Sequence, residues 1–337
     1  MSVTSTKILA IVILAGVGVA CGSDAAAPVP PDATALNLTL NGLRPLDAAT
    51  EGTYEAWTAD GSGRLHPVGR FNGGAAVELS LSPAARGARE VWITLEPPGD
   101  ADDTPSAQRL LRGTISGGRA ELSVVGAVTQ GASALREHPG QFTMFSPSDN
   151  AVNGYPSHEE SGIWLFNMQP RQTEQADMWV RMSQLSSGWT YEGWMVRDIG
   201  QPNAIWLSYG KFLPDYTGAV NTRDDTGWGP YSGVLDFRTD GEEEFPGDDW
   251  ISNPMGYPFP KELSLPLNLR ETTSAGAPRW THVVTIEPVW NRGEAIGAEQ
   301  PFLIRPYSDP FGDAGPGIPR AITYRPENVP SGRAELR

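Results

Sequence analysis

Tyr54-Glu55-Ala56-Trp57, followed by Gly69-Arg70-Phe71, recurs as Tyr191-Glu192-Gly193-Trp194, followed by Gly210-Lys211-Phe212. Downstream, Thr94-Leu95-Glu96-Pro97 recurs as Thr285-Ile286-Glu287-Pro288. Upstream, the pattern Leu38-x-Leu40-x-x-Leu43 finds a partner in Val180-x-Met182-x-x-Leu185. Landmarks in the same order at two places constitute an internal repeat, so whatever fold the first copy takes, the second takes too.

The first copy reads as strands. Leu36, Leu38 and Leu40 alternate with polar residues, a second strand begins at Tyr54, and the Asp60-Gly61 pair before Val68 suits a hairpin turn. Further strands are expected at Ala75 to Leu81, Val91 to Leu95, Arg109 to Ile115 and Ala120 to Val124, and no segment keeps a helical period over ten residues. With 38 Gly and 30 Pro the chain is rich in turns. The expectation is an all-β protein with two tandem antiparallel β-sandwich domains, at residues 34–130 and 161–310, joined by a linker over 131–160. The second domain is enlarged between Phe212 and Thr285, where GAVNTRDDTGWGPYSG and DGEEEFPGDDWISNPMGYPFP read as loops. A fainter echo pairs Gly118-Arg119-Ala120-Glu121-Leu122 with Gly332-Arg333-Ala334-Glu335-Leu336, which would make the Pro-rich tail, 311–337, the bearer of a closing strand for the second domain.

The N-terminus reads as an export signal. Lys7 is followed by an apolar run from Ile8 to Ala20 and then Cys21. Thirteen helical residues rise about 20 Å, short of the roughly 30 Å hydrocarbon core, so residues 1–20 are expected to be removed rather than to span. Cys21, the only cysteine, allows no intrachain disulfide. Residues 21–33 continue as a small, Pro-rich tether.

Gly18-Val19-Ala20-Cys21 resembles a lipobox, the cleavage motif of bacterial lipoproteins. The resemblance implies that Cys21 becomes a lipidated first residue; several acyl chains, each CH₂ contributing about 0.8 kcal/mol on burial, would anchor it durably. Gly22 after the cysteine resembles outer-membrane rather than inner-membrane sorting. The repeats themselves, YEAW with GRF and TLEP, then YEGW with GKF, FPGDDWISNP and TIEP, are similar to the extracytoplasmic β domain of anti-sigma-K factors. That likeness implies a β-sandwich sensor or adhesive module outside the membrane and supplies no catalytic residue.

Residues 21–337 carry 24 Lys and Arg against 40 Asp and Glu. Nucleic acid needs basic clusters that this chain lacks, so it is not an expected partner. The four histidines, His66, His138, His158 and His282, stand in no nucleophilic motif, and no G-x-S-x-G elbow is present. Acidic residues gather at Asp224-Asp225 and Asp248-Asp249; clustered carboxylates suit Ca²⁺, although solvated loops or a turn in which Asp249 accepts backbone N–H bonds explain the same residues. Trp228 and Tyr231, in TGWGPYSG, are the candidate ligand-contact aromatics, whereas the repeated Trp57 and Trp194 read as core.

The expected function is a non-enzymatic, lipid-anchored envelope binding or scaffolding protein, facing away from the cytoplasm, with an envelope protein or glycan as partner. The alternative is an envelope carbohydrate-binding protein or hydrolase that uses the acidic, aromatic loops of the second domain.

Overall fold

Alternation in sequence becomes alternation in burial. In a computed structural model describing residues 33–149, 157–165, 182–214, 222–224, 246–254, 256–290, 300–312 and 315–337, Leu36, Leu38 and Leu40 point into the core while Asn37, Thr39 and Asn41 do not. The first seven strands are β1 (Ala35–Asn41), β2 (Thr53–Ala59), β3 (Leu65–Phe71), β4 (Ala76–Ser80), β5 (Glu90–Glu96), β6 (Arg109–Thr114) and β7 (Arg119–Leu122). They agree with the strands read from sequence to within a few residues.

The remaining strands are β8 (Gln141–Met144), β9 (Gly162–Trp164), β10 (Trp189–Arg197), β11 (Ile205–Pro214), β12 (Thr222–Asp224), β13 (Gly247–Asp249), β14 (Trp280–Pro288), β15 (Ile304–Pro310), β16 (Arg320–Ala321) and β17 (Ser331–Leu336). All pairings between them are antiparallel. Four sheets result, ordered β3-β2-β5-β6, β4-β1-β17-β7, β12-β11-β10-β14-β15 and β13-β9-β8-β16. The protein is all-β and sandwich-like, with no α-helix among the described residues.

The repeated letters have a physical cause. Tyr54 lies opposite Phe71 and Tyr191 opposite Phe212, with ring centroids 5.5 and 5.7 Å apart in stacked pairs. Each tyrosine hydroxyl donates to a backbone carbonyl before its strand, Arg44 O and Ser183 O. Glu55 pairs with Arg70 at 3.0 Å and Glu192 with Lys211 at 3.9 Å. Trp57 Nε1 donates to Thr94 Oγ1 at 2.8 Å and Trp194 Nε1 to Thr285 Oγ1 at 2.9 Å, and both threonines hydrogen-bond to the glutamate two residues on. Each copy also bulges at the same step, between Ala56 and Trp57 and between Gly193 and Trp194. Thus YEAW…GRF…TLEP spells a two-strand aromatic pair, an ion pair made by a buried glutamate and a Trp–Thr–Glu chain.

Both sandwiches share one continuous apolar core that runs from Leu36 and Tyr54 to Tyr191, Ile286 and Leu336. The junction is hydrogen-bonded: Trp189 Nε1 donates to Arg109 O at 3.0 Å, Gln108 Nε2 to Gly188 O at 3.1 Å, and Ser186 N to Val128 O at 2.8 Å. Gly188 is required there, since a Cβ would stand 2.4 Å from Ala107 O.

Four features differ from the sequence-based expectation. The 131–160 span contains β8, a strand of the second sandwich rather than linker. Gly247–Asp249, expected in a loop, is a strand paired with β9 because both of its faces are covered, which erases any alternation. The closing strand β17 joins the first sandwich, between β1 and β7, where Ala334 and Leu336 complete its core. The expected counterpart of β1 also moves: its place is taken by β9, while Met182 and Leu185 are buried core residues outside any strand and Val180 lies outside the described residues.

Candidate functional site

The residues singled out from sequence fall into two groups. Cys21, Asp225, Trp228 and Tyr231 lie outside the described residues, and of Asp224 only the backbone is described, paired with Phe212 at the end of β12. Asp248 and Asp249 are fully buried on β13.

Around Asp249 the structure gathers residues that sequence reading did not join. Asp249 Oδ2 accepts from Ser148 N at 2.9 Å, Asp149 Oδ2 from His158 N at 2.6 Å, and Glu159 Oε2 from Ser146 N at 3.4 Å. Burial pushes the Asp249 carboxyl up to about 7, against hydrogen bonds from Ser148 that pull it down, and burial raises Glu159 as well. Asp249 ties β13 to the 146–149 turn, and Asp149 and Glu159 tie that turn to residues 158–159. Among the described residues no three His, Cys, Asp or Glu side chains are placed to hold a metal ion.

An accessible site lies elsewhere, where the two sandwiches meet. A cleft of about 970 Å³ runs between Leu40–Arg44 at the end of β1, the Ile199–Ala204 turn of the β10–β11 hairpin, and β15. Arg44, Trp206 and Arg305 also line an adjoining hollow of about 410 Å³ that reaches Thr50, Gln300 and Phe302. The floor is apolar: Trp194, Val196 and Val283 form a small cluster on the outer face of the β10–β14 sheet, with Trp206 and Ala204 packed on it and Trp206 meeting Trp194 edge-on at 5.8 Å. The repeated Trp194 is therefore buried as expected, but under the cleft rather than between the sheets.

Three charged residues line the cleft, Arg44, Arg305 and Glu327. The Arg305 guanidinium sits 4.6 Å from the Trp206 ring centroid, Nε donates to Phe302 O at 3.1 Å, and no carboxylate pairs with it among the described residues. Burial lowers its pKa; the nearby Glu287 acts in the opposite direction and Arg44 adds to the lowering. Arg44, by contrast, is satisfied by a forked pair with Glu51. Sequence reading had a partial signal for Trp206, since on β11 it alternates with the inward Leu207 and Tyr209, but Arg305 stands beside it only through the sheet.

Among the described residues no helix is long and apolar enough to cross a membrane. No curated protein and no solved structure matches the chain. The family model of the anti-sigma-K factor rskA, C-terminal, matches residues 9–109, which takes in β1 to β5 and stops at the start of β6. The match also takes in residues 9–33 ahead of the first copy and none of the second copy, so over less than a third of its length this chain is similar to the C-terminal domain of an anti-sigma-K factor.

Proposed function

We propose that this chain is a lipid-anchored, non-enzymatic binding module of the bacterial cell envelope, held by Cys21 and presenting the cleft between its sandwiches to a ligand with an anionic group. The observation that carries the ligand part is Arg305: a half-buried guanidinium, seated on Trp206 in an open cleft and lacking a carboxylate partner among the described residues. Burying a cation without a hydrogen-bonded carboxylate is unfavourable, and an incoming carboxylate, phosphate or sulfate relieves that cost. An acidic glycan or an acidic protein segment of the envelope fits this description; the strongly acidic remainder of the chain confines such binding to the cleft.

The anchor part rests on the Ile8–Cys21 segment and on the similarity of residues 9–109 to an anti-sigma-K C-terminal domain. Intact-mass measurement of membrane-extracted protein tests it: the expected result is a chain that starts at acylated Cys21, with Cys21→Ala soluble or uncleaved. The cleft is tested by titration with acidic and neutral oligosaccharides. Binding of an acidic set that is lost in Arg305→Ala and retained in Arg333→Ala supports the reading; equal binding of neutral and acidic sets overturns it.

A further inference from the structure

The two sandwiches have matching sheets with one slot filled differently. In the order β13-β9-β8-β16, the strand between β9 and β16 is β8, which immediately precedes β9 in the chain. By chain order β9, β13 and β16 correspond to β1, β4 and β7, so the matching slot of the first sandwich lies between β1 and β7. No strand before β1 fills it among the described residues; Ser331–Leu336 does, reached from Leu122 only after the entire second sandwich.

The strand that fills the slot carries the same five residues as one of its walls. Gly332-Arg333-Ala334-Glu335-Leu336 runs antiparallel to Gly118-Arg119-Ala120-Glu121-Leu122, with Ala334 opposite Ala120 at the centre. An antiparallel pair of identical G-R-A-E-L segments centred on alanine sets every arginine against a glutamate, and both ion pairs form: Arg333 Nε to Glu121 Oε1 at 2.8 Å and Arg119 Nε to Glu335 Oε1 at 3.2 Å. Leu336 N closes the register on Gly118 O at 2.8 Å. On the other side Leu336 faces Leu36 and Gly332 faces Leu40, where a Cβ on Gly332 would stand 2.7 Å from Thr39 O. The slot therefore reads an extended segment residue by residue: a glycine, a base, a small residue, an acid and an apolar residue.

We propose that this slot is a strand-acceptor site whose second occupant is residues 331–336 of another copy of the chain, giving a reciprocal strand-exchanged dimer. Each acceptor in such a dimer makes the contacts it makes within one chain, so exchange changes only the path of the segment leading to Pro330 and the entropy of association. An emptied slot leaves two facing rows of unpaired backbone groups on β1 and β7, which selects for a strand and against other ligands. This inference is independent of the cleft and of the anchor.

Charge reversal in the full chain tests it. One variant, Arg333→Glu with Glu335→Arg, reverses the donor; another, Arg119→Glu with Glu121→Arg, reverses the acceptor wall. Alone, each sets like charges together within its own chain and is expected to melt below the unaltered protein as a monomer. Unfolded together and refolded, the two variants can exchange strands so that every arginine again meets a glutamate, and native mass spectrometry is expected to show a one-to-one heterodimer. The chain with all four reversals is expected to regain the original melting temperature. A co-refolded mixture that holds only monomers overturns the proposal, and so does failure of the four-site reversal to restore melting, since the pentapeptide pairing would then not select the partner.

Discussion

The indole N–H of Trp194 donates to Thr285 Oγ1 at 2.9 Å. Both groups are buried, and Thr285 passes the chain on to Glu287 Oε1 at 2.5 Å. Replacing Thr285 by Val keeps the shape and removes the hydroxyl, leaving a buried indole N–H without its acceptor; the expected loss is about 1–3 kcal/mol in denaturant unfolding. Thr94→Val should lose a similar amount through Trp57, and Thr285→Ser should retain most of the stability.

Ala56 in the first repeat is Gly193 in the second because of the bulge residue across from each. Tyr209 fills the bulge in the second copy, and a Cβ on Gly193 would fall 1.7 Å from its Cζ; in the first copy the bulge residue is Val68. Gly193→Ala is expected to cost about 3 kcal/mol by forcing that ring aside. Adding Tyr209→Val should cancel a large part of the penalty, and strictly additive losses in the double variant would contradict this account.

Asp249 makes stability depend on pH. Its carboxyl rises from 3.8 to about 7 on burial, so the folded state holds a proton that the unfolded state has released. The contribution is complete below the unfolded value near 4 and is lost as pH rises through about 7. Between pH 5 and 8 the protein should lose on the order of 2–3 kcal/mol that Asp249→Asn does not lose. Parallel pH profiles of the two proteins would remove Asp249 as the cause.

His282 works in the opposite direction. Its ring is wholly buried against Phe142, with Nε2 hydrogen-bonded to Tyr209 Oη at 2.8 Å, and burial lowers it from 6.5 to about 3. The stability it contributes is present above 6.5 and drains away as pH falls toward 3. In NMR of the folded protein its ring signals should stay those of neutral imidazole from pH 8 to pH 5; a midpoint inside that interval would refute the assignment.

Strands β1, β4 and β7 were legible because half-exposed strands print their faces into the sequence with a period of two, whereas the largely buried β2 was found from its YEAW landmark. The second copy is harder to read. Every residue of β14 is buried and nearly every residue of β10, so the period vanishes, and only the YEGW and TIEP landmarks betray the strands. The GRAEL echo was visible too, but which sandwich it closes depends on register with Leu36 and Ala120, which composition does not encode. Asp248 and Asp249 looked like loop ligands because acidic residues seldom lie fully buried in a sheet. The cleft was invisible for a different reason: Trp206 and Arg305 stand on strands of one sheet that are separated by β10 and β14.

Because Leu36 has Leu336 as its neighbour in the sheet, the first sandwich cannot close until residues 331–336 are present. A chain that folds as it emerges must keep its earliest half open while the second half forms, and the slot between β1 and β7 stays bare throughout. Any product broken off before Pro330 would carry that bare slot permanently, with two strand edges exposed to a protease or a chaperone. Strand β17 thereby makes closure of the first sandwich wait on residues that follow the whole of the second.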